Sequence, residues 1–394
     1  MGETREHDQR SDPRAPILGV PLAQLHRDRT SVKWARYGPE VIPMWIAEMD
    51  CTPCPAVVDA VRAAVGRGDT GYAMTKQYTA EFSTFAAAEW GWPVDPASTV
   101  PVADVLTGVT HLLGLLTDPG GPVVVSPPVY NAFYEVIEAC GRRAVEAPLT
   151  TDHRLDLDRL AAVFADLTAR GERAAYLLSN PHNPTGTVHT ADVLTTLAEV
   201  AEAHGVRIVS DEIHGALVMP TSTFTPYLTV PGATRGIVVT SASKAWNLAG
   251  LKAAVVVPGA DAVGDVRRLH PFVTFGASHL GVIAQTAAYR DGRDWVHRLV
   301  AELDTNRHLL ADLVAERLPG VRLALPEATF LAWLDLDGLG LGADPALELL
   351  HRSGVALSPG SIFGSGGGAH ARLNFATSPD VLREAVDRIA GSLG

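Results

Sequence analysis

Lys244 is the residue of this sequence whose type and position are best suited to covalent chemistry. Only four of the 32 lysine and arginine residues are lysines, so each lysine stands out against an arginine-rich background. Lysine carries a primary amine, which loses its proton when it is removed from water and then attacks carbonyl groups. A solvated lysine on a loop is the alternative interpretation, and the surrounding residues must decide between the two.

Lys244 follows a β-branched run at residues 236–240, which is typical of a buried parallel strand. Tyr130, Asn183 and Asp211 also follow predicted strands, at 122–126, 174–179 and 206–210. The helical pattern at 191–204 lies between two of these strands and predicts βαβ alternation. Because α/β proteins bind ligands at the carboxyl ends of their parallel strands, we expect these four side chains to lie together.

This set of side chains matches the requirements of pyridoxal 5'-phosphate. The lysine amine would hold the cofactor aldehyde as a Schiff base, and Asp211 would keep the pyridine nitrogen protonated, so that the ring accepts electrons. Asn183 would donate a hydrogen bond to the phenolic oxygen of the ring. Tyr130 would stack on the face of the ring.

The cofactor phosphate requires a group of hydrogen-bond donors. The sequence from Val100 predicts a strand to Leu106, a turn around Gly108 and then a helix. Free amides at a helix N-terminus bind anions, so we expect the amides of Val109 and Thr110 to face the phosphate. Ser241 and Ser243 are further candidates for phosphate binding.

The motifs, taken together and in this order, resemble those of the fold type I aminotransferase superfamily. The resemblance extends from about Ser31 to the end of the sequence and is carried by Gly108-Val109, Tyr130 and the segments 183–186, 210–214, 241–244 and 372–374. Within the superfamily, the MalY/PatB branch of cystathionine β-lyases and carbon-sulfur lyases is the most similar. Its characteristic features are the segments 42–50, 247–251 and 330–335, and a histidine at position 214 in place of the usual tyrosine.

The resemblance implies the α/β fold of type I PLP-dependent transferases. A large domain would contain a mostly parallel seven-stranded sheet sandwiched by helices, beside a smaller α+β domain. The expected divisions are a disordered tail at 1–16, an N-terminal segment at 17–60 that joins the small domain, a large PLP-binding domain at 61–290 and a C-terminal small domain at 291–394. The resemblance also implies a homodimer with shared active sites.

Roles for individual residues follow from the resemblance. Lys244 would be the catalytic residue, and His214 would belong to the cofactor-binding set. Tyr72 would reach the phosphate bound by the partner chain. Arg372 would bind the substrate carboxylate as a bidentate fork, with Ala47 and Asn183 also contacting the substrate. A solvated strand arginine is the alternative for Arg372, but its apolar neighbours favour a buried partner.

The reaction implied by the resemblance is a β-elimination. A cysteine S-conjugate or a cystathionine-like amino acid would be cleaved to a thiol, pyruvate and ammonia. An aminotransferase would use the same residues. A specialised enzyme of secondary metabolism that acts on a thiol conjugate is another alternative, by lincosamide-type elimination or by decarboxylation-dependent oxidative deamination. A cofactor-binding regulatory protein ranks last.

Three departures from the branch bear on the substrate. Glu48 replaces the usual aspartate, Cys51 replaces an aromatic residue, and Trp246 replaces phenylalanine. We expect all three near the substrate entrance. The substrate side chain is therefore left open.

The composition narrows the class of protein. The chain has 394 residues, 47% of them hydrophobic, and a formal net charge of -12, as in soluble globular proteins without a nucleic-acid or anionic-membrane partner. Three cysteines provide no disulfide framework, and the Cys51 and Cys54 pair lacks the second pair that zinc would need. Residues 1–16 lack the apolar core of a signal peptide, and no membrane span is evident. These features predict a cytoplasmic enzyme without a metal site.

Overall fold

The structure, a computed structural model, describes residues 15–394, and the predicted tail at 1–14 lies outside the described residues. Residues 15 and 16, assigned to the same tail, are placed against the body of the protein, where Arg298 donates to the Ala15 carbonyl at 3.0 Å. Among the described residues, no helix is both long enough and apolar enough to span a membrane.

Strands and helices alternate along most of the described chain. The strands are β1 (Ile42–Pro43), β2 (Val100–Val102), β3 (Pro122–Val125), β4 (Arg143–Glu146), β5 (Ala175–Ser179), β6 (Arg207–Asp211), β7 (Ile237–Thr240), β8 (Ala254–Pro258), β9 (Arg322–Leu323), β10 (Leu331–Asp335), β11 (Val355–Ala356), β12 (Ser358–Pro359) and β13 (His370–Asn374). The α-helices are α1 (Leu22–Asp28), α2 (Val32–Ala35), α3 (Pro55–Gly66), α4 (Lys76–Trp90), α5 (Val105–Leu116), α6 (Ala132–Ala139), α7 (Leu157–Ala169), α8 (Ala191–Ala203), α9 (Val263–Val266), α10 (Pro271–Thr274), α11 (His279–Asp291), α12 (Arg293–Arg317), α13 (Pro345–Ser353) and α14 (Pro379–Ser392).

A seven-stranded sheet lies at the centre, in the order β2-β8-β7-β6-β5-β3-β4. Its pairs from β7 to β4 are parallel, whereas β8 is antiparallel to both of its neighbours. Strands β3, β5, β7 and β8 are buried along their whole length. Burial on both faces explains their continuous apolar sequences. The predicted α/β fold with a mostly parallel seven-stranded sheet is confirmed.

Hydrophobic cores fill both faces of this sheet, because alternate strand residues point to opposite sides. Val124 of β3 belongs to a core that includes residues of α7, α8 and α11. Its neighbours Val123 and Val125 belong to the other core, with residues of α5 and α6. Both faces are therefore covered, and a ligand can reach the strands only at the ends of the sheet.

A second sheet is built from the C-terminal part of the chain. It is antiparallel, in the order β12-β13-β10-β9. Near it, β1 pairs in parallel with β11, with Ile42 opposite Val355. This pairing attaches the N-terminal segment to the C-terminal part, as the predicted domain division requires. The domain boundaries themselves stay predictions.

Candidate active site

A cavity of about 530 Å³ lies at the carboxyl ends of the central strands. Its volume falls in the usual range for sites that bind small ligands or cofactors. The structure brings together eight of the residues singled out in the sequence, which all line this cavity: Ala47, Thr110, Tyr130, Asn183, Asp211, His214, Ser243 and Lys244.

Lys244 lies in the turn after β7, and its side chain is directed at the N-terminal segment. The Nζ atom donates to the Ala47 carbonyl oxygen at 2.9 Å. Burial and the nearby Arg372 lower the pKa of the amine to about 8, although Asp211 opposes this shift. The amine is therefore much more available as a base or nucleophile near neutral pH than an ordinary lysine.

Asp211, at the end of β6, is a buried carboxylate with 6% of its surface exposed. One oxygen accepts from the Ile213 amide at 3.1 Å. Burial raises its pKa to about 7, and the Ile213 amide and Lys244 only partly oppose this. A cation placed against Asp211 would restore the ionised form, as a protonated pyridine nitrogen would.

His214, three residues later, is 3% exposed and packs edge-to-face on Phe330, with ring centroids 6.0 Å apart. Burial, with Lys244 and Arg372 as nearby positive charges, lowers its pKa well below the usual value. The imidazole is therefore neutral at physiological pH. Its Nδ1 atom is buried and has no hydrogen-bond partner among the described residues. An unsatisfied polar atom at a cavity wall indicates a place where a ligand would complete the bonding.

Arg372 lies on β13 of the second sheet. It bonds to Asn183, which follows β5 of the central sheet, and so connects the two sheets. Its guanidinium donates to the Asn183 side-chain oxygen at 3.0 Å and to the Trp45 carbonyl at 3.1 Å. It is 4% exposed and lies over the Phe363 ring at 4.9 Å. Within residues 15–394, its buried Nε atom has no hydrogen-bond partner. The alternative of a solvated strand arginine is wrong.

The start of α5 differs from its prediction. The helix begins at Val105, after Asp104, whereas the sequence predicted a turn around Gly108. A Cβ on Gly108 would lie 3.2 Å from side chains of Val102 and Val239, so this glycine permits close packing of helix on sheet. Val109 is fully buried, and in an α-helix its amide bonds within the helix.

The free amides of α5 therefore belong to its first residues. Val105 and Leu106 line the cavity, where the sequence analysis expected the amides of Val109 and Thr110. Thr107 also lines it, but its amide already donates to the Asp104 side chain at 2.8 Å. Thr110 also lines the cavity, but its hydroxyl donates to the Leu106 carbonyl at 2.7 Å. An anion at this helix start would be bound about one turn earlier than predicted.

Four predicted residues lie outside the cavity lining, namely Val109 and Arg372, described above, and Ser241 and Tyr72. Ser241 is buried and donates from its hydroxyl to the Ala253 carbonyl at 2.7 Å, and it accepts from the Ser243 amide at 3.1 Å. It therefore shapes the turn that presents Ser243. Tyr72 is fully exposed. Its proposed action on a partner chain stays a prediction.

Two of the three residues expected at the substrate entrance lie elsewhere in the structure. Trp246 is buried in the core, where it packs on Phe85 and Tyr289 and donates to the Gly292 carbonyl. Cys51 is 2% exposed and does not line the cavity. The placement of these two residues near the entrance is wrong. Their aromatic and thiol groups serve packing.

Sequence reasoning missed two charged residues of the cavity wall. Lys252 and Asp104 both line the cavity, and they form an ion pair at 2.9 Å. The scarcity of lysine was a signal for Lys252. Asp104 could have been found as an N-cap, since an aspartate directly before an apolar helical pattern is a start signal.

The donors and charges of this cavity fit pyridoxal phosphate. Lys244 supplies the amine, Asp211 a carboxylate that needs a cation, and the first turn of α5 supplies free amides. His214 has an unsatisfied nitrogen, and Tyr130 supplies an aromatic ring on the wall.

Comparison with known proteins places the chain among PLP enzymes and their relatives. A "Putative cystathionine beta-lyase" of Mycobacterium tuberculosis is 46% identical, over 96% of this chain and 98% of that protein. The cystathionine beta-lyase PatB of Bacillus subtilis is 32% identical, over 92% and 96%. The PLP-bound C-S lyase from Staphylococcus hominis superposes with a TM-score of 0.86 at 26% identity, over 93% and 96%. Residues 40–389 match the family model for aminotransferase class I and II, and the chain belongs to that family.

Proposed function

We propose that the protein is a PLP-dependent carbon-sulfur β-lyase. It cleaves a cysteine S-conjugate or a cystathionine-like amino acid, with one water, to a thiol, pyruvate and ammonia. The observation that carries this proposal is the grouping of Lys244, Asp211 and Asn183 in one cavity. The lyase names of the relatives favour elimination over transamination.

Pyridoxal phosphate, when bound, supplies an electron sink that stabilises negative charge at the substrate Cα. Lys244 removes the Cα proton, because an amine with a pKa of about 8 is partly unprotonated near neutral pH. Asp211 would pair with a protonated ring nitrogen, whose positive charge would favour the ionised form of this carboxylate. His214, neutral and buried, offers a hydrogen bond without adding charge to the site.

Arg372 orients the substrate by its α-carboxylate. Its planar guanidinium presents donors in a fixed fork that matches a carboxylate. A bound carboxylate would take over donors that now bond the Trp45 carbonyl and the Ser358 hydroxyl. Asn183, already bonded to Arg372, links this end of the substrate to the cofactor end. The Ala47 carbonyl, on the N-terminal segment, accepts from the amine of Lys244 and so holds this amine at the cavity wall.

The assembly that we propose is a homodimer in the cytoplasm, with the four divisions of the chain given by the resemblance. Four large apolar side chains support the dimer, since each is at least 78% exposed: Tyr72, Met74, Phe272 and Phe275. Exposed apolar groups of this kind mark association surfaces. Three free cysteines are in keeping with a reducing compartment.

The test is to incubate the holoenzyme with cystathionine and with S-alkyl cysteines, without a keto acid, and to measure pyruvate and free thiol. Equal amounts of both products are expected. Lys244→Ala should fold and lose this activity. Turnover that requires a keto acid would identify an aminotransferase. Oxygen uptake with release of carbon dioxide would identify the oxidative alternative.

A further inference from the structure

The ion pair between Asp104 and Lys252 occupies the end of the cavity where α5 begins. One oxygen of Asp104 accepts from the Thr107 amide at 2.8 Å, and the other pairs with Lys252 at 2.9 Å. Val105 and Leu106, whose amides are free at this helix start, line the same part of the cavity wall. Asp104 thus uses two donors, the Thr107 amide and the Lys252 amine, that an anionic ligand at this helix start would also need.

The carboxylate of Asp104 stays charged at physiological pH. Burial alone would raise its pKa, but hydrogen bonds from Thr107 and Lys252 outweigh burial and lower it. Its negative charge also acts on Tyr130 in the cavity wall. Burial is the main cause of the raised pKa of Tyr130, and the charge of Asp104 raises that pKa further. A phosphate ester bound at this helix start would bring nearly two further negative charges. The two anions therefore repel each other and share one cation.

We propose that Asp104 is a built-in competitor of the cofactor phosphate, and that Lys252, shared between the two anions, sets how tightly the cofactor is retained. The inference rests on the proposed function in taking pyridoxal phosphate as the ligand. Asp104 also caps α5 by accepting from the Thr107 amide, so the chain itself fixes the start of this helix.

The test measures the dissociation constant of pyridoxal phosphate by equilibrium dialysis of the purified holoenzyme and its variants. Asp104→Asn keeps an N-cap acceptor and removes the charge, so it should tighten binding about tenfold. Lys252→Met should weaken binding. This loss should be smaller when Lys252→Met is combined with Asp104→Asn, because no uncompensated carboxylate then faces the phosphate. Pyridoxal, which lacks the phosphate, should bind equally well to wild type and Asp104→Asn.

The matched control is Asp156→Asn. Asp156 caps α7, accepts from the Arg159 amide at 2.9 Å and pairs with the Arg159 side chain, and it does not line the cavity. Its cofactor affinity should equal that of wild type. If Asp104→Asn does not fold, Asp104→Ser provides a second neutral cap. Unchanged or weaker cofactor binding in the folded neutral variant would overturn the proposal, whereas wild type that binds no cofactor at Lys244 would overturn the proposed function.

Discussion

Lys244 and Asp211 are both buried at the cavity wall, and the charge of each affects the pKa of the other. The amine has a pKa of about 8 against an ordinary value of 10.5, mainly through burial and secondly through Arg372. Only the unprotonated amine attacks an aldehyde, so covalent capture of the cofactor by the apoprotein should rise with pH and level off above about 8. Stopped-flow absorbance across a pH series measures this rate.

A matched variant tests the cause of that shift. Arg372→Gln removes a positive neighbour of the amine, so the pKa of Lys244 should increase and the midpoint of the rate should move to higher pH. A wild-type midpoint near 10 would mean that the amine is solvated when the cofactor arrives.

His214 allows a second prediction at the scale of one residue. His214→Phe keeps an aromatic ring against Phe330 but removes both ring nitrogens, so we expect the protein to fold and kcat to fall about tenfold, the effect of one lost hydrogen bond. His214→Tyr, which restores a hydrogen-bonding group, should recover part of the activity. Steady-state kinetics and the visible spectrum of the holoenzyme provide the two readouts. Equal kcat values for wild type and His214→Phe would show that the ring of His214 contributes packing alone.

Residues that follow a strand could be predicted from the sequence, because the strand itself fixes where they lie. Tyr130, Asn183, Asp211 and Lys244 were found in this way, and all four line the cavity. The position of Trp246 could not be predicted in this way. It lies two residues after Lys244, but its side chain packs in the core. Which side of a turn a residue faces depends on distant packing that local patterns do not contain.

The N-terminal segment shows how an element without regular structure is held over the site. From Trp45 to Met49 each carbonyl oxygen accepts a hydrogen bond from a side chain, and the donors are Arg372, Ser358, Asn374, Lys244, Lys33 and Asn247. Buried backbone groups must be satisfied, and here side chains replace a neighbouring strand. The sequence analysis marked residues 42–50 only as a feature of the family branch. It could not identify the donors, most of which lie about 200 to 330 residues away.

The buried pair of Lys33 and Asp50 anchors this segment and allows a prediction at the scale of the element. The two side chains are 1% and 3% exposed and 2.7 Å apart. Lys33→Met leaves Asp50 unpaired, which should lower the free energy of unfolding by about 3 to 5 kcal/mol. Urea unfolding measures the change, and adding Asp50→Asn should recover part of it because no unpaired charge remains.

An exposed pair is the control for that experiment. Arg170 and Asp166 on α7 form an ion pair at 2.7 Å, but their side chains are 60% and 56% exposed. Arg170→Met should change the free energy of unfolding by less than about 1 kcal/mol, because water screens the pair. Equal losses for the Lys33 and Arg170 variants would show that burial does not govern the strength of these pairs.

At the scale of the whole molecule, the parallel pairing of strands β3 to β6 agrees with the α-helices that alternate with them along the chain. Continuous apolar runs predict buried parallel strands, and the central sheet contains them. The start of α5 was mispredicted because a turn containing glycine and a helix containing a tightly packed glycine look alike locally. Only the contact of Gly108 with the central strands distinguishes the two cases.

The exposed apolar side chains give the last prediction, which concerns assembly. Tyr72 and Phe272 are 102% and 86% exposed, and a second copy of the chain would remove such groups from water. Sedimentation equilibrium should give twice the chain mass of 41.7 kDa. If Tyr72 acts on the partner's site, Tyr72→Ala and Lys244→Ala should each be nearly inactive as pure dimers. Mixing them under conditions of subunit exchange should restore activity, because each hybrid contains one site with both native residues. A monomer at micromolar concentration, or a mixture that stays inactive after exchange, would contradict shared active sites.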